Sequence, residues 1–336
     1  MRSRTMAWGL SLVVAATSIT ALAQTPKRLN PMIALHEKAL PVFGITHPAI
    51  ALGGRGGRGG GAGDSTAAPA TPPPLPSLVE AARETMAYKY ADFDYNSYSP
   101  ANAERFMGYM AALIAAGGKM SSHAFLSKVP IVHGNAEAAT ARIIEQLNMG
   151  HAGIIMQEVE SADEVRTALA AMRFKSKGGT RPDEGIGLAA AYWGLSEAEY
   201  RQKADPWPLN KNGELVLWAI IESKKGIANV REIAAVPGVS VLTVGAGTLG
   251  GVFSSTGADG QRVRDQAGFD AGVASVLAAC KEFKLPCSYP ANNPGEIEKL
   301  MAQGFSVFTM QARNSAGFDA IAAGRRLSGR PVPTTN

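Results

Sequence analysis

The sequence predicts a (β/α)8 TIM barrel on three observations: eight short apolar runs, helix-period segments between them, and a length that one barrel fills. The runs fall at 41–46, 90–94, 129–133, 152–156, 215–221, 239–244, 286–289 and 305–309. Between them, apolar residues recur with a helical period at 103–116, 137–148, 162–174, 227–236, 270–283 and 294–303. Strands that alternate with helices imply a parallel sheet, and eight of them suggest closure into a barrel. The chain has 336 residues, 46% of them apolar, enough for one such core.

Taken in order, the chain opens on a secretory pattern. Arg2 and Arg4 precede an apolar stretch from Met6 to Ile19, and Ala21-Leu22-Ala23 supplies a small-x-small cleavage site. Residues 1–23 therefore read as a signal peptide, with an uncleaved anchor as the alternative. The mature chain is expected to be exported, periplasmic or secreted, with no stable membrane span. Residues 24–52 hold an N-terminal segment and the first barrel strand. Residues 53–76 contain GGRGGRGGGAG and then TAAPATPPPLP, a disordered glycine- and proline-rich insertion. Arg55 and Arg58 within it are too few to indicate RNA binding, so a solvated loop is expected. Residues 77–330 form the remainder of the barrel and 331–336 a tail.

Composition narrows the function classes. The formal net charge is +5, yet no basic stripe with interleaved aromatics occurs in the folded part. No nucleic-acid role is expected. The 2 cysteines, Cys280 and Cys287, fall at a helix end and the start of the next strand. A short disulfide and two buried thiols are both open, and a metal site from this pair alone is not expected.

In barrels the chemistry gathers at the C-terminal ends of the strands. His47 follows the first run. Asp94, Tyr95, Asn96, Ser97 and Tyr98 follow the second. His133 ends the third, and Gln157, Glu158 and Glu160 follow the fourth. Glu222 follows the fifth, Gly245-Ala246-Gly247-Thr248 the sixth, and Gln311 and Arg313 the eighth. Histidines and carboxylates at one mouth could hold a divalent cation. Each could equally be a hydrogen-bonded rim residue. Glu222 stands apart, because its run is otherwise apolar and a buried carboxylate needs a partner. Tyr192, Trp193, Trp207 and Trp218 could cap a pocket or fill the layer between barrel and helices. The polar stretch 196–213 reads as a lid or an oligomer contact.

The order of several motifs resembles the HpcH/HpaI aldolase/citrate lyase family. Asn30-Pro31 resembles its opening, and the segment from Gly153 to Glu164, GIIMQEVESADE, its fourth strand and helix start. Arg181-Pro182, Gly185-Ile186-Gly187 and Tyr192-Trp193-Gly194 are similar to its "RP…G…YG" stretch. Ile220-Ile221-Glu222-Ser223 resembles its fifth strand, and 237–245, PGVSVLTVG, its sixth. The resemblance implies a phosphoenolpyruvate/pyruvate-domain-like barrel and a class II, pyruvate-type aldolase. Such an enzyme cleaves or forms a carbon–carbon bond in a small 2-oxo or hydroxy acid. A divalent metal, Mg2+ or Mn2+, or else Co2+ or Zn2+, polarises the keto oxygen and stabilises the enolate, and a base moves the proton. It also implies a homo-oligomer, a trimer or hexamer, with Gly317–Arg326 a candidate for exchange between subunits.

Carried over residue by residue, the family's metal-binding glutamate falls on Glu222. Its second metal ligand, an aspartate, falls on Thr248, a poorer ligand. The backbone of Gly247 and Thr248 would hold the substrate carboxylate, beside His47. The family arginine at the end of the third strand falls on His133. The "D-x-E-H" motif falls on Asp94 to Tyr98, with Tyr98 at the catalytic histidine and the register open between Asp94 and Tyr95. The catalytic candidates are therefore His133, Tyr98 and Asp94. A relocated metal site of His133, Glu158 and Glu222 would compensate for the lost aspartate. A different metal-dependent enzyme on the same barrel, or a non-catalytic periplasmic binding protein, is the alternative.

Overall fold

The computed structural model describes residues 27–46, 76–87, 91–97, 103–258, 260–311 and 314–333. Among them, eight parallel strands carry the barrel: β1 Val42–Thr46, β2 Phe93–Ser97, β3 Phe125–Val129, β4 Gly153–Met156, β5 Leu215–Ile221, β6 Val241–Val244, β7 Cys287–Pro290 and β8 Val307–Met310. They pair in sequence order, β8 pairs back to β1, and β4 pairs directly with β5. The sheet therefore has no free edge in the barrel. Two residues, Pro206–Trp207, add a short parallel strand beside the start of β5.

Side-chain direction follows from one contact. The rings of Phe93 and Trp218 meet edge to face at 5.0 Å. β2 and β5 are not neighbours in the sheet, so this contact crosses the interior. Gly44 makes room for it, since a Cβ there would stand 2.0 Å from the Phe93 ring. By alternation, Tyr95 on β2 and Val216, Ile220 and then Glu222 on β5 also face inward. Phe43 faces the helices, where Gly324 of the helix Ser315–Leu327 closes on its ring.

The third strand corrects the expected boundaries. It ends at Val129, not His133, because Pro130 has no N–H for the ladder and the chain turns. β2 likewise begins at Phe93 rather than at 90. Cys280 at the end of the helix Gln266–Phe283 is disulfide-bonded to Cys287 of β7, with Cα atoms 5.7 Å apart. This resolves the open choice between bridge and thiols.

The N-terminal end of the barrel is sealed by polar side chains. Asn30 caps the helix Pro31–His36 and donates to the carbonyls of Glu214 and Ala152. Buried Asp92 accepts from the Phe43 amide, from Arg325 at 3.1 Å and from Arg330 at 2.5 Å. The ends of the described chain are thus tied to the base, and the other face is left for chemistry.

Candidate functional site at the barrel mouth

Glu222 is the centre of the mouth. It follows the apolar strand β5, LVLWAII, which is buried at every position. The alternation that turns Trp218 inward also turns Glu222 inward, just beyond the strand end. Glu158, in the loop after β4, has a φ of 46°. That left-handed conformation aims its N–H at Glu222, whose Oε1 accepts at 3.0 Å. Gly245, after β6, lies against the same carboxylate. A Cβ there would stand 2.4 Å from the Glu222 Cβ and 2.6 Å from its Oε2. A side chain at 245 would therefore displace Glu222.

Burial pushes the Glu222 carboxyl above the usual glutamate range. The Thr248 hydroxyl, the Glu158 amide and the Lys128 ammonium act in the opposite direction, and the Glu158 carboxylate adds to the rise. The result is a carboxyl that can take and return a proton closer to neutrality than an exposed one.

Lys128 is the residue that reading by motif missed. In β3, FLSKV, Phe125 meets the rings of Phe106 and Tyr109 in the helical layer. Leu126 stands beside Gly153 and Val216 of the interior face. Lys128 shares the face of Leu126, and so rises into the mouth, where its charge and that of Glu222 interact. Burial lowers its pKa and the Glu222 carboxylate raises it. The signal was in the sequence: the alternation of 125–129 places the one basic side chain of that strand inward. It was lost by placing the strand four residues too late.

His133 consequently does not stand at a strand end facing the barrel. It lies in the turn after β3, with its side chain 37% exposed, and its Nδ1 is 3.1 Å from Glu164 Oε2. Glu164 also takes the Ser161 hydroxyl, and Glu160 takes Ser223 at 2.8 Å and Lys225 at 3.2 Å. These are rim contacts that hold loops. Gln157 donates to the Val129 carbonyl at 2.8 Å, joining the loop after β4 to β3.

Asp94 also requires correction as a mouth residue. It occupies the strand face opposite Phe93 and Tyr95, is 6% exposed, and its charge reaches Tyr192 in the helical layer. Tyr95 is the inward neighbour, with its hydroxyl 3.4 Å from the Met310 carbonyl. Thr248 lies on the short helix Ala246–Val252, close to Glu222 as expected, with Gly247 exposed beside it. Tyr192, Trp193 and Trp218 are packed inside the molecule. His47, Tyr98 and Arg313 lie outside the described residues, as do residues 1–23 and almost all of the insertion.

A divalent cation would need more than this site offers. Among the described residues no group of three or more His, Cys, Asp or Glu side chains is close enough to hold a metal. His133, Glu158 and Glu222 are not brought together as a ligand set. Glu222 offers one carboxylate, already engaged by the Glu158 amide, and an ammonium lies in its field. The hydroxyl of Thr248 does not replace a second carboxylate. The described residues therefore do not fit the cation that the resemblance implies.

Comparison with known proteins agrees with the barrel and its order of motifs. The sequence profile of the family HpcH/HpaI aldolase/citrate lyase matches residues 122–307. A 2-dehydro-3,6-dideoxy-6-sulfogluconate aldolase of Pseudomonas putida is 27% identical over 162 residues, 48% of this chain and 57% of that protein. The chain thus spans little more than half the length of that relative. A hydroxypyruvate/pyruvate aldolase of Paraburkholderia phytofirmans is 28% identical over 224 residues, 61% of this chain and 78% of the relative. Among solved structures, an HpcH/HpaI aldolase/citrate lyase family protein from Burkholderia cenocepacia superposes with a TM-score of 0.61 at 20% identity, covering 89% of this chain and 98% of the other. An HpcH/HpaI aldolase from Desulfitobacterium hafniense gives 0.58 at 15% identity, covering 91% and 98%. At these identities the two structures establish the fold.

Proposed function

Because the chain belongs to the HpcH/HpaI aldolase/citrate lyase family, we propose that it is an aldolase-type lyase acting on a carbon–carbon bond of a small 2-oxo or hydroxy acid. The observation that carries this reading is the half-buried carboxylate of Glu222, held at the mouth by the Glu158 amide, inside the segment that matches the family. The two aldolase relatives support the same reaction class.

In the cleavage direction, a 2-oxo-4-hydroxy acid loses the proton of its 4-hydroxyl to a base. The C3–C4 bond breaks, the aldehyde leaves, and the electron pair passes through C3 to the keto oxygen as an enolate. A proton then returns to C3. We assign the proton transfers of this cycle to Glu222, and its raised pKa supports that role. Gly247 and Thr248 would present backbone amides to the substrate carboxylate. No step is assigned to a metal ion, since the described donors do not fit one.

Pyruvate in D2O tests the reading. An enzyme that forms the enolate exchanges the methyl protons for deuterium, visible as loss of the methyl proton signal. Exchange that depends on Glu222 is expected. No exchange above the rate without protein, at any pH from 5 to 9, would overturn it.

Export is part of the proposal. The N-terminal signal pattern and the disulfide between Cys280 and Cys287 support an oxidising compartment. There the substrates would be oxo acids from material outside the cell. Among the described residues no helix is long and apolar enough to cross a membrane. A homo-oligomer, trimer or hexamer, is proposed with it.

A further inference from the structure

The mouth holds a positive charge that the rest of the fold does not use. Lys128 has no hydrogen-bond or ion-pair partner among the described residues, and only the field of Glu222 reaches it. An ammonium drawn from water without a partner is unfavourable. Elsewhere in this molecule buried cations are tied down, as Arg325 and Arg330 are on Asp92. The same interior holds further unmatched polar groups. The Thr243 and Ser288 hydroxyls, on adjacent strands and in register, are buried with no partner among the described residues. Thr243 lies two residues before Gly245 and shares its inward face, so these hydroxyls form a polar floor below Glu222.

A 2-oxo acid brings a carboxylate, and its enolisation puts a second negative charge on the keto oxygen. Some cation must meet that charge. The described carboxylates do not complete a site for a divalent ion, and an ammonium in the same corner repels one. We propose that Lys128 supplies this charge in place of a metal ion, binding the oxygens of the 2-oxo acid so that binding and enolisation need no divalent cation. The inference rests on the aldolase reading for its substrate class. The lysine head has three donors, enough to reach a keto and a carboxylate oxygen together. As a methyl proton of pyruvate passes to the Glu222 carboxylate, the C–H pair becomes the C=C bond. The carbonyl π pair moves onto the oxygen facing Lys128.

The test uses the full mature protein, stripped with EDTA and checked by elemental analysis. Pyruvate affinity is measured by calorimetric titration, and methyl exchange by NMR in D2O. The stripped wild type is expected to bind and exchange, with Mg2+ or Mn2+ changing either by less than about twofold. Lys128→Met should raise Kd by about tenfold or more, the loss of one charge-assisted contact. Lys128→Arg, which keeps the charge, should recover part of the affinity, and Glu222→Gln should bind but not exchange. Far-UV circular dichroism checks that each variant is folded. Loss of binding on stripping, restored by Mn2+, would overturn the inference. So would wild-type affinity in folded Lys128→Met, or, should that variant not fold, an affinity in Lys128→Arg that returns only with added metal. If no form exchanges but Lys128→Met still weakens binding, the aldolase reading fails and the anion site stands. If pyruvate binds to no form, both fail.

Discussion

Glu222 concentrates the conflict between stability and chemistry in one side chain. Its folded pKa lies above the unfolded value because burial disfavours its charge. The sign follows directly. Folding favours the protonated form, so its contribution to stability is present at low pH and lost as pH rises through the folded value. Glu222→Gln is therefore expected to unfold at higher urea than wild type at pH 8, and to lower methyl exchange by about 10^2–10^4-fold. The wild-type exchange rate should rise with pH along a limb displaced above the usual glutamate range. A variant with unchanged exchange would remove Glu222 from the mechanism. Gly245→Ala probes the same carboxylate from its backbone side. The new Cβ would overlap both Cβ and Oε2 of Glu222, so exchange should fall with a stability loss of about 1–3 kcal/mol. Glu158→Gly separates amide from side chain. It keeps the N–H that holds Glu222 and removes a positive-φ strain of about 1 kcal/mol. The variant should be slightly more stable and still exchange. A lost exchange would return the Glu158 carboxylate to the reaction.

Elements explain how much could be read in advance. Strands β4, β5 and β6 were legible to within two residues, because each is a dense apolar run, closed by polar residues after β4 and β5 and by Gly245-Ala246-Gly247 after β6. β3 was not. Its apolar run is broken by Ser127 on the helical face and Lys128 on the inward face, and the apolar residues Ile131 and Val132 beyond Pro130 extended the run past its true end. That shift of four residues replaced Lys128 by His133 as the candidate, and so carried an error of element into an error of site. Asp94 shows the complementary difficulty. A polar residue near a strand end can face the helices instead of the mouth, and only the partner of its neighbour, the Phe93–Trp218 contact, fixes the phase. The short bridge from the helix Gln266–Phe283 to β7 was undecidable from spacing and is present. It closes a loop with a sequence separation of 7, for which chain entropy gives about 2–3 kcal/mol. Reduction by dithiothreitol, or Cys280→Ser with Cys287→Ser, should lower unfolding stability by that amount. An unchanged urea midpoint would mean that the thiols are not bridged in the protein in solution.

At the scale of the whole molecule, the fold was legible because a barrel needs only the count, spacing and order of its strands. The base that locks it was not, since its contacts join residues far apart in the chain. Asp92 is the clearest case: its partners Arg325 and Arg330 lie more than two hundred positions away. Asp92→Asn would leave two guanidinium groups short of charge in a buried setting. The expected loss is about 3–5 kcal/mol, read from urea unfolding. The barrel as a whole should also be acid-sensitive, through groups remote from the mouth. His151 is buried and His36 is partly buried with its Nε2 enclosed, and desolvation lowers each to about 4. His151 lies within the stack of Phe106 and bonds through Nδ1 to the Gln146 carbonyl, and His36 stacks on Trp207. Their folded values lie below the unfolded 6.5, so the unfolded chain binds protons first as pH falls. The stability they support is present above pH 6.5 and lost as pH descends toward 4. Between pH 7 and pH 5 each should contribute a loss of about 2 kcal/mol. Urea unfolding across that range, for wild type and for His151→Phe, measures it. The variant should retain about 2 kcal/mol more of its stability than wild type on acidification, whatever its starting value. An identical pH slope would mean that His151 takes up its proton within the folded barrel.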